Sequence, residues 1–177
     1  MRQSTLVLAA FTAAILAAGT SAQEKPDFSG AWTTAADSTS GPIVSLGSGW
    51  GNSLTLIQDS NTLTVERVFY RPRDYQPIMK FRYALDGSKT SNTVLMGRGI
   101  QMQVSTAAWE GDKLVIKTIH AVPDVGDGAS ATCEVAQILS LRPPQMAAWS
   151  PSLVVETTRC GFLGGPPSTT RTVYTRD

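Results

Sequence analysis

The segment Leu54-Thr55-Leu56-Ile57-Gln58-Asp59-Ser60-Asn61-Thr62-Leu63-Thr64-Val65-Glu66-Arg67-Val68-Phe69 reads as two strands folded back on each other. Leu54 and Leu56 fall on one side of a pleated chain, and so do Leu63, Val65 and Phe69. Between them, Asp59-Ser60-Asn61 tolerates the type I or left-handed backbone that a tight hairpin turn requires. The same rhythm extends in both directions, over 28–33, 53–58, 62–69, 78–85, 89–96, 101–109, 113–121, 130–141, 152–160 and 169–176. Past residue 22 the chain carries seventeen Thr and many Val, Leu and Ile, which favour pleated structure, and no stretch keeps an apolar helical period for three turns. The chain is all-β.

Connections alternate in kind. Asp59-Ser60-Asn61, Asp86-Gly87 and Glu110-Gly111-Asp112 are tight, whereas 34–52, 70–77, 97–100, 122–129 and 161–168 are mostly longer and rich in Gly, Pro and aromatic residues; the long 142–151 connection is the exception at the tight end. Antiparallel strands joined in sequence put every second connection at the same end, so this pattern predicts a single antiparallel up-and-down barrel of about eight to ten strands with one open mouth. An open sandwich is the alternative. Met79, Phe81, Tyr83 and Leu85, and likewise Leu114 and Ile116, complete the inward face, and Arg67 and His120 share that parity close to the long-loop end.

The N-terminus bounds the class. Met1 and Arg2, the apolar run Leu6–Ala18 and the small residues Thr20-Ser21-Ala22 form a signal peptide over 1–22, too short to stay as a membrane span, with the mature chain starting at Gln23. No cysteine near the cleavage site invites lipidation. Removing 22 of 177 residues leaves 155, enough for one domain over 23–177 with a core of its own. One of the 15 basic residues goes with the signal, so 14 remain against 14 Asp and Glu, a balance that argues against nucleic acid or an anionic membrane as partner. An exported chain meets oxidising conditions, which makes Cys133 and Cys160 a disulfide and places the protein in a periplasm or outside the cell. If the two cysteines face each other in a hairpin, Glu134 opposes Arg159, Ile138 opposes Val155 and Leu139 opposes Val154.

The first strand reads Asp27-Phe28-Ser29-Gly30-Ala31-Trp32, and its Gly30-x-Trp32 resembles the mark of calycin barrels, which include lipocalins, fatty-acid-binding proteins and avidins. The resemblance implies a lipocalin-like barrel in which Gly30 allows close backbone approach, Trp32 plugs the closed end and an Arg near the last strand packs over it; Arg176 is the matching residue and Arg171 the fallback. The runs Leu54–Asp59, Gly111–Ile116 and Leu153–Arg159 are similar to those of uncharacterised secreted bacterial β-barrel proteins, which imply no activity. Ten candidate strands exceed the eight of the simplest calycins.

Little in the chain points to catalysis. His120 is the only histidine, which excludes a metal site built on imidazoles, and no GxSxG supplies a nucleophile. Asp124 and Asp127 lack the spacing of a calcium loop, paired glycosidase carboxylates cannot be picked out, and the glycines of 47–51 are not followed by a phosphate-binding helix. No metal and no cofactor is expected. The sequence instead places Phe69, Met79, Phe81 and Tyr83 on an apolar wall, with Arg67, Arg71, Arg73 and His120 near the mouth and Tyr70 interleaved among the arginines; Arg98 lies on the next connection. Pro42, Ile43, Val44, Leu46 and Trp50 would fold the 34–52 loop over the mouth as a lid, or else pack on the outer wall. Non-catalytic binding of a small, partly apolar ligand, with an anionic one as an option, is the leading expectation. Its rivals are a solid-cored interaction or envelope module, and an enzyme using His120.

Overall fold

The computed structural model describes residues 24–35, 47–68, 78–96, 99–122, 131–144, 146, 150–161 and 165–177. Ten strands run in chain order: β1 Gly30–Thr34, β2 Ser53–Gln58, β3 Thr62–Val68, β4 Ile78–Ala84, β5 Asp86–Met96, β6 Gly99–Glu110, β7 Lys113–Val122, β8 Ala131–Arg142, β9 Ser152–Arg159 and β10 Ser168–Arg176. All pairings are antiparallel, in the order β4-β3-β2-β1-β10-β9-β8-β7-β6-β5, and the sheet curls into a nearly closed up-and-down barrel. Residues 1–22, Phe69, Tyr70, Arg71, Arg73, Arg98, Asp124, Asp127 and most of the expected lid lie outside the described residues.

The barrel is made of two halves stacked along its axis. Toward the tight-turn end Leu56, Leu63, Leu114, Ile116, Leu139, Leu153 and Val155 are all buried. On strands β6 to β9 the inward face then changes character, from Ala107 to Ser105, Ile116 to Thr118, Leu139 to Gln137 and Val155 to Thr157. The changes coincide on β6 and β7, where Ser105 lies opposite Thr118, and on β8 to β10, where Gln137 lies opposite Thr157 and Thr157 opposite Thr170; between β7 and β8 they are offset by two residues, with Ile116 opposite Gln137. The lower half is therefore dry and filled by side chains, and the upper half is walled with donors and acceptors.

The closed end is sealed by the N-terminal strap. Trp32 and Arg176 are cross-strand partners and so project to the same side of the sheet. The Arg176 guanidinium lies 4.9 Å from the Trp32 ring centroid and Nη2 donates to the Ser29 carbonyl at 2.7 Å. Gly30 makes this approach possible, because a Cβ there would stand 3.2 Å from Arg176 Nε, and its φ of +141° suits glycine alone. Trp32 Nε1 donates to the Phe28 carbonyl at 2.9 Å, and Phe28 stacks on Trp109 at 5.7 Å. Gln58 ties the strap down from both amide atoms, accepting from Phe28 N and donating to the Pro26 carbonyl.

Two sequence expectations fail for identifiable reasons. Asp86-Gly87 makes a tight turn but does not join a hydrogen-bonded pair of strands: Gly87 has a φ of +84° and Asp86 Oδ1 accepts from the Ser88 N–H, while the Leu85 N–H donates to the Asn61 carbonyl and the β5–β6 register slips between Asp86 and Lys89. Strands β4 and β5, adjacent in sequence, consequently sit at opposite ends of the sheet order. What joins them is a side chain. Asn92, buried on β5, accepts from Arg82 N at 2.7 Å and donates to Arg82 O at 3.0 Å, so one amide takes the place of a strand residue across the seam. The second failure is the β8–β9 register. Val135 lies opposite Arg159, Ile138 opposite Glu156 and Leu139 opposite Val155, one residue from the pairing that a directly opposed disulfide implies. Cys133 and Cys160 are bonded with Cα atoms 5.8 Å apart, but Cys160 lies one residue past the end of β9 and outside its ladder, so the bridge is not a register pair.

Replacing Asn92 with Ala removes both seam bonds and leaves the Arg82 peptide unpaired, which should cost about 2 kcal/mol in urea unfolding and speed exchange of the Arg82 amide. An unchanged unfolding midpoint would show that the seam is held by other contacts.

Candidate functional site

Inside the mouth, residues Gly47–Gly51 enter the barrel and hang their carbonyls on its wall. Arg159 Nη2 donates to Gly47 O at 2.8 Å, Gln137 Nε2 to Ser48 O at 2.7 Å and Arg67 Nη1 to Gly49 O at 3.2 Å, while the Tyr174 hydroxyl donates to Gly51 O at 2.8 Å. Ser48 and Trp50 are buried by this insertion. The Gly-Ser-Gly-Trp-Gly pattern explains how the segment bends: Gly47, Gly49 and Gly51 all have positive φ, +46°, +87° and +90°. A Cβ on Gly49 would also stand 3.5 Å from Arg159 Nη2.

Beside this plug lies a cavity of about 190 Å³. Trp50, Phe81, Val94 and Val135 give it apolar walls, and Tyr83 and Thr118 add hydroxyl-bearing side chains. Arg67, Arg159, His120, Gln103 and Gln137 complete the lining, which among the described residues includes no carboxylate. Arg67 projects inward from β3 because it follows Leu63 and Val65 at a spacing of two, and Arg159 does so after Val155 and Thr157 on β9. The Arg67 guanidinium lies 5.4 Å from the Phe81 ring centroid. Each arginine spends one terminal nitrogen on a plug carbonyl. Arg67 Nε and Arg159 Nη1 are buried and have no hydrogen-bond partner among the described residues. Burial holds both guanidiniums below their ordinary pKa, a sign of what it costs to keep cations in a half-dry wall, yet a guanidinium stays charged.

His120 sits on β7 opposite Cys133, so the disulfide braces the mouth beside the imidazole. Gln103 Nε2 lies 2.9 Å from His120 Nδ1; with the amide as donor, Nδ1 accepts and the ring proton sits on Nε2. Burial, with Arg159 nearby, lowers the imidazole pKa from its ordinary 6.5. Burial also raises the Tyr83 phenol, and pushes Tyr174 up to about 12, so both hydroxyls remain neutral donors.

Of the residues singled out from sequence, the structure brings Trp50, Arg67, Phe81, Tyr83 and His120 together around the cavity. Met79 is buried next to them, its sulfur 3.8 Å from Arg67 Nη2, but does not line the space. Phe69, Tyr70, Arg71 and Arg73 lie outside the described residues. Sequence reasoning missed Arg159, Gln103 and Gln137. Arg159 was obscured by the one-residue register error, which turns it outward toward Glu134; the run Leu153, Val155, Thr157, Arg159 was the signal that could have placed it inside. Among the described residues, no group of three or more His, Cys, Asp or Glu side chains could hold a metal ion. Compared with known proteins, the chain matches no family model, no curated protein and no solved structure.

The lowered His120 pKa has a definite thermodynamic sign. Below pH 6.5 the unfolded chain takes up the proton before the folded one, so stability from this group is complete above that pH and is lost as pH falls toward the folded value. Melting temperatures between pH 8 and pH 5 should fall in the wild type and fall less in His120→Gln; equal slopes would show that the imidazole titrates freely.

Proposed function

We propose that this chain is an exported, non-catalytic binding protein that holds a small organic anion in the mouth of its barrel. The observation that carries the reading is the cavity lining, in which the guanidiniums of Arg67 and Arg159 stand with no carboxylate among the described residues. A buried cation costs free energy unless it is paired, and carbonyl acceptors satisfy its hydrogen bonds without neutralising its charge. One anion would do both. Catalysis finds less support, since among the described residues no acid stands in the cavity wall to orient His120 as a base. Export is supported by the composition of residues 1–22, and the disulfide is compatible with an oxidising location. The Trp32–Arg176 packing at the closed end supports a calycin-like reading of the barrel.

An interaction module is the second reading, favoured by an apolar stripe on the outer wall. Ile100, Met102 and Val104 follow one another on the outer face of β6, and Ile119 lies opposite Val104; all four are exposed. The two readings separate in a thermal-shift series. If the mouth binds anions, carboxylates should raise the melting temperature of the wild type, and Arg67→Gln should weaken that response by about tenfold or more through loss of a charge-assisted bond of about 1.5–3 kcal/mol. Equal responses in wild type and variant would remove Arg67 from the site, and no response to any small anion would favour the interaction module.

A further inference from the structure

We infer that the anion is a carboxylate borne on one compact apolar ring, of benzoate size, and not an inorganic ion or a long acyl chain. This rests on the anion-binding reading and makes it specific. Size is the first constraint. A dry cavity of about 150 Å³ accommodates a benzene molecule, so the 190 Å³ beside the plug suits one ring together with a carboxylate. Depth is the second. Below the polar belt, Leu56, Leu114, Ile116, Leu139 and Val155 are no more than 1% exposed, so the space does not continue down the barrel axis and an alkyl chain has no interior path.

The division of the walls supplies the chemistry. Trp50, Phe81, Val94 and Val135 present apolar surface that a bare phosphate or halide would leave uncovered. The two guanidiniums converge on one residue: Arg67 Nη1 lies on the Gly49 carbonyl at 3.2 Å, and Arg159 Nη2 stands 3.5 Å from where a Gly49 Cβ would be. Both guanidiniums line the same cavity, and their planar donor forks suit a carboxylate. A ring attached to the carboxylate would then lie against Phe81 and Trp50, with the plug carbonyls still holding the far side of both arginines. The ligand therefore docks with the Gly47–Gly51 segment in place.

The test is calorimetric titration of the full exported chain with four probes: benzoate, its neutral isostere benzamide, laurate and inorganic phosphate. Benzoate should bind at least about tenfold more tightly than benzamide, phosphate should not compete, and laurate should gain nothing from its length. Arg67→Lys and Arg159→Lys, which keep the charge but lose the fork, should each weaken benzoate about tenfold and leave benzamide unchanged. The benzoate–benzamide comparison needs no variant and so stands even if a substitution loosens the plug. Laurate binding more tightly than benzoate, or phosphate displacing it at equal concentration, would overturn the ring-carboxylate class while leaving an anion site standing. Failure of every anion to bind in an arginine-dependent way would overturn both.

Discussion

Backbone carbonyls inside a barrel need donors, and the upper wall of this one is built to supply them. The clamp formed by Arg159, Gln137, Arg67 and Tyr174 on the carbonyls of Gly47, Ser48, Gly49 and Gly51 is the interaction on which the mouth depends. It fixes where the segment enters, buries Ser48 and Trp50 within the barrel, and sets the size of the space left beside them. It also fixes the arginines. A long guanidinium side chain held at one terminal nitrogen has little rotamer freedom left to lose, so its remaining donors are already oriented. The plug is at once an occupant of the barrel and part of the wall of its cavity.

The rest of the molecule supports that mouth. The dry lower half gives the barrel its cohesion, and the strap over Trp32 closes the end opposite the cavity, with Arg176 and Gln58 satisfying the strap's backbone. The seam between β4 and β5 is closed by Asn92, one residue pair away from Val94 in the cavity wall. Because an amide can both donate and accept, it replaces a ladder pair where the bulge at Asp86 prevents one. Electrostatics then concentrates at the mouth: among the described residues two cations and a neutral imidazole face a common space, and backbone dipoles hold the cations without neutralising them.

Much of the barrel is legible in the sequence because its lower half obeys simple alternation. Leu54 and Leu56, Leu63 and Val65, and Leu114 and Ile116 all read as inward-facing and all are buried. The polar belt is less legible, since Ser105, Thr118, Gln137 and Thr157 have the residue types of an outer face, and only their register with apolar neighbours shows that they are inside. The pairing error on β8 and β9 has the same root: Glu134 opposite Arg159 looks favourable by charge, but a one-residue shift turns Arg159 inward, and a disulfide tolerates the offset. The plug was half visible. Trp50 marks an apolar segment that must be covered, whereas the carbonyls that do the docking are common to every residue and leave no trace in composition.

A crystal of the protein soaked in sodium bromide, with anomalous differences measured at the bromine edge, tests the central claim most directly. If the two arginines form an anion site, the strongest peak will lie within hydrogen-bonding reach of the guanidiniums of both Arg67 and Arg159, with Gly47–Gly51 still docked. A carboxylate of the chain itself occupying that position, or bromide confined to the outer surface, would contradict it.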